Sequence, residues 1–344
     1  MAELRGGSDG TGLKLTATGG EATVPAVALD PAAGGLARLE TDQPENPFAT
    51  RGYARARASE GSRPVVLEFR SSAGCASCLG ILSGGPLVRI LEILSMPILP
   101  AGDFGPPVRR LIREQRVGLL NVFPYHSGAS RLPEWFPAEW RRQTEEFIWW
   151  LREPPEVAAL HKSARQGVRM AERKGCRVVS GTDVSILSAH EAVLASSRER
   201  RLARGETPGI APSSARMGAF VAQGAGVVFQ SLGPDGAVHS SALVLRSARG
   251  AYLHSMGSSD LGFDIGAAKL LVFKTAMALQ AAGVEQFNLG SAATPGLRLF
   301  KTQFGGVPRP VEAAVYRTMG RHTRRALTVG DRLLRLIRRA TGPS

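Results

Sequence analysis

Apolar runs broken by glycine, proline and serine mark the chain from residue 46 onward. Residues 64–70 (PVVLEFR), 78–82 (CLGIL) and 87–93 (LVRILEI) read as strands, 108–115 as a helix and 117–124 as a further strand. The clearest helix follows Pro154 and Pro155. Val157, Leu160, Ala164, Val168 and Ala171 recur at helical spacing on one side, and Arg165, Arg169 and Arg173 form a basic row on the other. Pro155 suits its opening turn and Gly175 a left-handed terminator. A second helix is expected over 184–204 and a short one begins near 213. Strands at 226–232, 237–246 and 251–255 are joined by the tight turns GPDG and ARG, giving an antiparallel meander. In the last of these, Tyr252, His254 and Met256 fall on one face, Leu253 and Ser255 on the other. An apolar helix over 265–282 comes next, with Asp264 as its expected N-cap and Gly283 as its terminator. VEQFNLG then reads as a short central strand.

These elements divide the chain. Residues 1–44 carry eight glycines and a charge of 3 − 6 = −3, a largely irregular lead-in with one strand near 22–29. The Trp149–Trp150 pair and the two prolines set a boundary between a first unit, 45–150, and a second, 151–318. A length of 344 residues agrees with about two domains. Residues 319–344 form a basic tail. Counted from Arg317 it holds eight arginines against Asp331, and its leucines and arginines interleave as in an amphipathic helix. Such a helix can dock on the protein, on tRNA or on an anionic membrane.

Charge adds a constraint without choosing a partner. The net charge is +14, carried by 37 arginines and six lysines, and 43% of residues are hydrophobic, which excludes a charge-dominated disordered chain. Nucleic acid, an anionic membrane and a phosphorylated substrate all remain compatible. The most apolar stretch, 87–101, is interrupted by Arg89 and Glu92 and falls short of the ~18 residues of a membrane span. The first 25 residues lack the basic start and apolar region of a secretory signal. The expectation is therefore a cytoplasmic protein, with peripheral contact at the inner face of the membrane through the tail. Cys75 and Cys78 have two-residue spacing but no second pair to complete a zinc site, and no helix opens there to lower a thiol pKa. No HExxH, Walker loop, G-x-S-x-G or Rossmann fingerprint occurs, and His126, His161, His190, His239 and His322 are scattered.

The order ALVLRSARGAYLHSMGSSD, then IGAAKLLVFKTAMALQAAGVEQFNLGSAATPGLRLFKTQFGG, resembles the FemAB-like branch of the GNAT acyltransferase superfamily, including the BioF2-like acetyltransferase domain. LHKSARQGVRMAERKGCRV is similar to the basic helix that opens that family's second domain, and NPFATRGYARA to the opening of the first. The resemblance covers about residues 45–318. It implies an α/β fold of two GNAT-like domains facing a shared cleft, mixed sheets flanked by helices, and transfer of an acyl or aminoacyl group to an amine. The implied donors are acyl-CoA or aminoacyl-tRNA, with no tightly bound cofactor. The implied acceptors are an amine-bearing small molecule or a cell-wall precursor. Where the family often has Asp-x-Gly, this chain has Asn288-Leu289-Gly290, and the Q/R-x-x-G-x-G/A pyrophosphate loop is missing.

The candidate site residues follow from residue chemistry within that frame. Lys301, after a Gly- and Pro-containing loop and before paired glycines, offers an ammonium to a phosphate or carboxylate. Arg165 and Arg169 offer guanidinium groups at a cleft mouth, with Tyr252 and Ser258 as further substrate-binding groups. His254 is the candidate base for the amine, and Asn288 with the backbone of Gly290 the candidate donors to the transferred carbonyl. Direct attack by a neutral amine, without a covalent acyl-enzyme, is the expected reaction. The alternatives are a tRNA-dependent peptidoglycan-bridge aminoacyltransferase and a non-catalytic GNAT-like polyanion-binding protein.

Overall fold

The computed structural model describes residues 14–15, 26–28, 35–123, 125–126, 128, 131–206, 213–320, 322–323 and 325–330. The chain begins with β1 (Lys14–Leu15) and β2 (Ala26–Ala28), an antiparallel pair that extends the main sheet at its outer edge. Helix α1 (Gly35–Asp42) follows, then a 3-10 turn at Pro47–Ala49 and α2 (Arg51–Ser59), capped by Thr50. The lead-in is thus not irregular throughout: Leu36 and Leu39 of α1 are buried in the core, enough to hold a helix in a glycine-bearing segment.

Two runs of the chain repeat one topology. In the first, β3 (Arg63–Ser71), β4 (Gly74–Gly84) and β5 (Arg89–Ile93) are antiparallel, and α3 (Gly105–Glu114) crosses over to a parallel β6 (Val117–Val122). The 13-residue strand β7 (Ala138–Trp150) then leads away. After a 3-10 turn at Val157–Ala159 come α4 (Lys162–Arg173), β8 (Arg177–Gly181), α5 (Val184–Ala203) and α6 (Ser214–Ala222). In the second run, β9 (Gly226–Leu232), β10 (Val238–Arg246) and β11 (Gly250–Ser258) are antiparallel, α7 (Asp260–Asp264) and α8 (Ala267–Ala281) cross over, and β12 (Gln286–Ser291) lies parallel to β11. Helix α9 (Pro295–Thr302) and β13 (Val307–Arg317) follow, and residues 325–330 are helical.

The runs then exchange strands. The sheet order is β1-β2-β3-β4-β5-β6-β13-β7-β12-β11-β10-β9-β8, so β6 neighbours β13 from the far end of the chain, and β12 neighbours β7 from the first run. The long β7–β13 antiparallel pair is the centre, and one mixed sheet passes through the whole molecule. One apolar cluster serves the first run, around Phe69, Phe104 and Tyr316, and one the second, around Phe229, Phe273 and Phe287. A third spans both, joining Phe48, Tyr53 and Ile81 to Phe220, Leu243 and Tyr252.

Several sequence expectations shift on this frame. Pro155 precedes helix α4 rather than opening it; His161 is the N-cap, its Nδ1 accepting the Ser163 N–H at 3.3 Å. Gly175 has φ 76, as a left-handed terminator requires. Asp264 does not cap α8. The cap is Gly266, at φ 78, where a Cβ would stand 2.6 Å from the Gly167 carbonyl oxygen, so its bareness lets α4 and α8 approach. Cys75 is exposed and Cys78 buried on β4, and burial pushes the Cys78 thiol up to about 12. No helix among the described residues is long and apolar enough to cross a membrane. The tail's expected helix, beyond residue 330, lies outside the described residues.

Candidate functional site

Strands β11 and β12 pair over three residues only, Gly250–Tyr252 against Gln286–Asn288. Beyond Tyr252 they part, and β11 continues to Ser258 with no strand on that edge among the described residues. The opening is a cavity of about 700 Å³, walled by residues 252–258 of β11, by Leu289, Gly290 and Ser291, by α9, and by the arginine-bearing end of α5. Phe263, Leu253, Met256, Leu297 and Phe300 give it apolar walls; Arg200, Arg201, Arg204, Lys269 and Lys301 bring cations. Asp260 holds Arg200, and Glu206 holds both Arg201 and Arg204.

A β-bulge shapes β11. Val244 pairs with Leu253 and Leu243 with Ser255, leaving His254 without a partner in β10. The bulge breaks the alternation expected from sequence. His254 stands edge-on to Phe220 and Ser255 meets His190 and Met217, so adjacent residues both turn toward α5 and α6.

Behind the cavity lies a buried polar knot. Glu146 begins the buried end of β7 and is 1% exposed. Its Oε2 accepts from the His126 N–H at 2.9 Å and from Asn288 Nδ2 at 2.6 Å. Burial raises its pKa to about 7, against the hydrogen bonds and the Lys301 charge. Lys301, in the last turn of α9, donates to the Leu289 carbonyl and to the Ser291 carbonyl at 2.7 Å. Burial lowers it to about 8, although Glu146 favours its charged form. Tyr252 is buried against Phe48 and Tyr125, and its phenol is pushed well above its ordinary range by burial and by Glu146 and Tyr125. The carboxyl, ammonium and phenol therefore come from strands and helices of both runs.

The structure brings Lys301, Tyr252, His254, Ser258 and Gly290 to this cavity, with Asn288 one layer behind. Arg165 and Arg169 are not among its lining residues. Arg165 turns back to the Ala158 carbonyl at 2.9 Å, and Arg169 is exposed on α4. The donors expected to polarise a carbonyl are spent locally: Gly290 N–H goes to Asn288 Oδ1 at 2.7 Å, and Asn288 Nδ2 to Glu146. Ser258 shares its hydroxyl with Ser240 at 2.8 Å. Burial, with His190 and Arg216, lowers His254 to about 4, so its ring is neutral. Sequence reasoning missed Glu146. Its only signal was an acidic residue directly before the apolar run FIWW.

The fold has solved counterparts. The crystal structure of FemX is similar with a TM-score of 0.59 at 10% identity, covering 82% of this chain and 96% of that one. The C-terminal domain of a putative lysylphosphatidylglycerol synthetase from Agrobacterium fabrum (TM-score 0.49, 15% identity) covers 87% of this chain and 96% of its own. L-PGS from Bacillus licheniformis (TM-score 0.49, 14% identity) covers 89% and 97%. At these identities the likeness is one of fold alone, and the match to FemX carries it: the chain has a FemX-like fold. No protein-family model matches the sequence, and no curated protein does.

Proposed function

We propose that the protein is an N-acyltransferase, moving an acyl or aminoacyl group from an activated donor held in the β11–β12 cavity to the amine of an acceptor. The observation that carries this reading is the splay itself. Two parallel strands separate just where one of them bulges, and the freed edge of β11 offers backbone amides to a donor carbonyl in an apolar-walled cavity. On this reading the repeated topology is a pair of GNAT-like units, 45–150 and 151–318, that complete one another by strand exchange. The donor belongs to the second.

Each nearby group then has a role. Tyr252 keeps its proton at neutral pH and supplies it to the departing thiolate or alkoxide. Lys301, pinned between two carbonyls, fixes the strand end and presents positive charge to the cavity. Asn288 positions Glu146 and the Gly290 turn rather than the substrate. Acyl-CoA and aminoacyl-tRNA are the donor classes to try, and the acceptor is an amine-bearing small molecule or cell-wall precursor. The test presents charged tRNA and a series of acyl-CoAs, each with a panel of amines, and follows amide formation by mass. One donor–acceptor pair should turn over, with kcat in Tyr252→Phe reduced by ~100-fold, as expected for loss of a positioned proton donor. Turnover unchanged in Tyr252→Phe would remove the proton-donor role, and no product from any pair would remove the reading.

A further inference from the structure

One nucleophile in the cavity has no part in that scheme. Ser255 Oγ is 2.9 Å from His190 Nε2, and His190 Nδ1 is 2.8 Å from Ser241 Oγ. The three side chains come from β11, α5 and β10. Their hydrogen bonds fix the tautomer. Ser241 donates its proton to the Phe229 carbonyl at 3.3 Å, so it receives the N–H of His190 Nδ1. Nε2 is then the bare nitrogen, and the Ser255 hydroxyl donates to it; the other acceptor near Ser255 is the Met217 sulfur at 3.8 Å, a weak one. His190 is completely buried and its ring is neutral, held down to about 4 by burial. Ser255 itself is half-buried and lines the cavity. The bulge at His254 makes this possible, since regular alternation would turn Ser255 away from α5.

We propose that Ser255 is an acyl-accepting nucleophile with His190 as its base, so that the cavity also hydrolyses activated acyl esters. This rests on the reading that the cavity admits an activated acyl donor, not on transfer to an amine. As the Ser255 Oγ–carbonyl carbon bond forms, the hydroxyl proton passes to His190 Nε2. The carbon–oxygen or carbon–sulfur bond to the leaving group breaks, and the leaving group takes that proton. Water then adds to the acyl carbon with its proton passing to Nε2. The serine ester bond breaks, Ser255 regains the proton, and a carboxylic acid leaves. His254, which has no register partner in β10, directly precedes Ser255 on the bulged strand.

The full chain is treated with diisopropyl fluorophosphate, whose fluoride is displaced by an activated serine, and separately with p-nitrophenyl acetate. Intact mass and peptide mapping should find one phosphoryl group, on Ser255, and none in Ser255→Ala. In His190→Gln the maximal inactivation rate should fall at least ~tenfold with half-saturation unchanged, and nitrophenolate release should fall in step. An unlabelled wild-type chain, labelling at another residue, or wild-type rates in folded His190→Gln would each overturn the proposal. If His190→Gln does not fold, mapping of the wild-type adduct decides alone. Neither probe contains an amine acceptor. Labelled Ser255 without any amide product would sustain this inference and end the transferase reading; amide product with unlabelled Ser255 would do the reverse.

Discussion

Glu146 shows how burial converts a residue into a pH-dependent element of the fold. Its folded pKa of about 7 stands above the ordinary 4.5, because burial disfavours the carboxylate. The folded chain therefore keeps a proton that the unfolded chain releases from ~4.5 upward. The contribution to stability is full below that range and is lost as pH rises through about 7. Lys301 has the opposite sign: lowered to about 8, it contributes fully above its ordinary 10.5 and loses that contribution as pH falls through 8. Glu146→Gln keeps an acceptor for His126 N–H and Asn288 but cannot ionise. Urea unfolding midpoints of this variant should vary less between pH 4.5 and 7 than those of the wild type; an identical pH slope would refute the assignment. Lys301→Ala removes two hydrogen bonds and the charge that favours Glu146 ionisation. It should cost ~1.5–3 kcal/mol and shift the Glu146 limb to higher pH, with kcat/KM falling ~tenfold or more. Full turnover in a folded Lys301→Ala would exclude the lysine from the site. Lys301 was legible as a candidate because the Gly- and Pro-containing loop before it and the paired glycines after it are a local signal. Glu146 was not, because what makes it unusual is partners 20 and 142 residues away.

Elements were legible where one periodicity governs them and illegible where two environments share one strand. The meander β9–β10–β11 and the helix α8 answer to local pattern and turn chemistry, and their spans fall close to those read from sequence. Strand β7 has a polar, exposed first half (AEWRRQTE) and a buried second half (EFIWW up to its last residue), so neither template fits it. Helix α9 reads as a loop because it contains Pro295 and Gly296, yet proline suits a first helical turn and Thr294 caps it. Residue 290 is where element geometry meets the site. Gly290 has φ 72 within the bulged end of β12, and a Cβ there would stand 3.3 Å from the Tyr252 hydroxyl and 3.7 Å from Lys301 Nζ. Gly290→Ala should lose ~1–2 kcal/mol of stability through left-handed strain, and activity more than in proportion because the phenol must shift. A variant with wild-type turnover and unchanged melting would show that neither the conformation nor the contact matters.

At the scale of the whole molecule, the boundary between Trp149 and Val157 divides the sequence without dividing the sheet. A fragment ending at residue 150 keeps β7 but lacks β13, so β6 and β7 lose the strand between them. A fragment starting at residue 151 keeps β13 but lacks β7, leaving β12 without its outer partner. The third apolar cluster is split as well, with Phe48 and Tyr53 in one piece and Phe220 and Tyr252 in the other. Exposed strand edges and a halved core favour aggregation. Sequence patterns could not reveal this exchange, because each strand's pattern reports burial and not the identity of its neighbour. The full chain should accordingly unfold in one cooperative transition, with tryptophan fluorescence and far-ultraviolet circular dichroism coinciding. Residues 35–150 and 151–330 expressed separately should each aggregate, and expressed together they should copurify as a 1:1 complex. If either fragment alone purifies as a monomer with cooperative unfolding, the exchanged strands are dispensable and the runs are independent domains. If both fold but do not associate, the β7–β13 pair does not hold the molecule together.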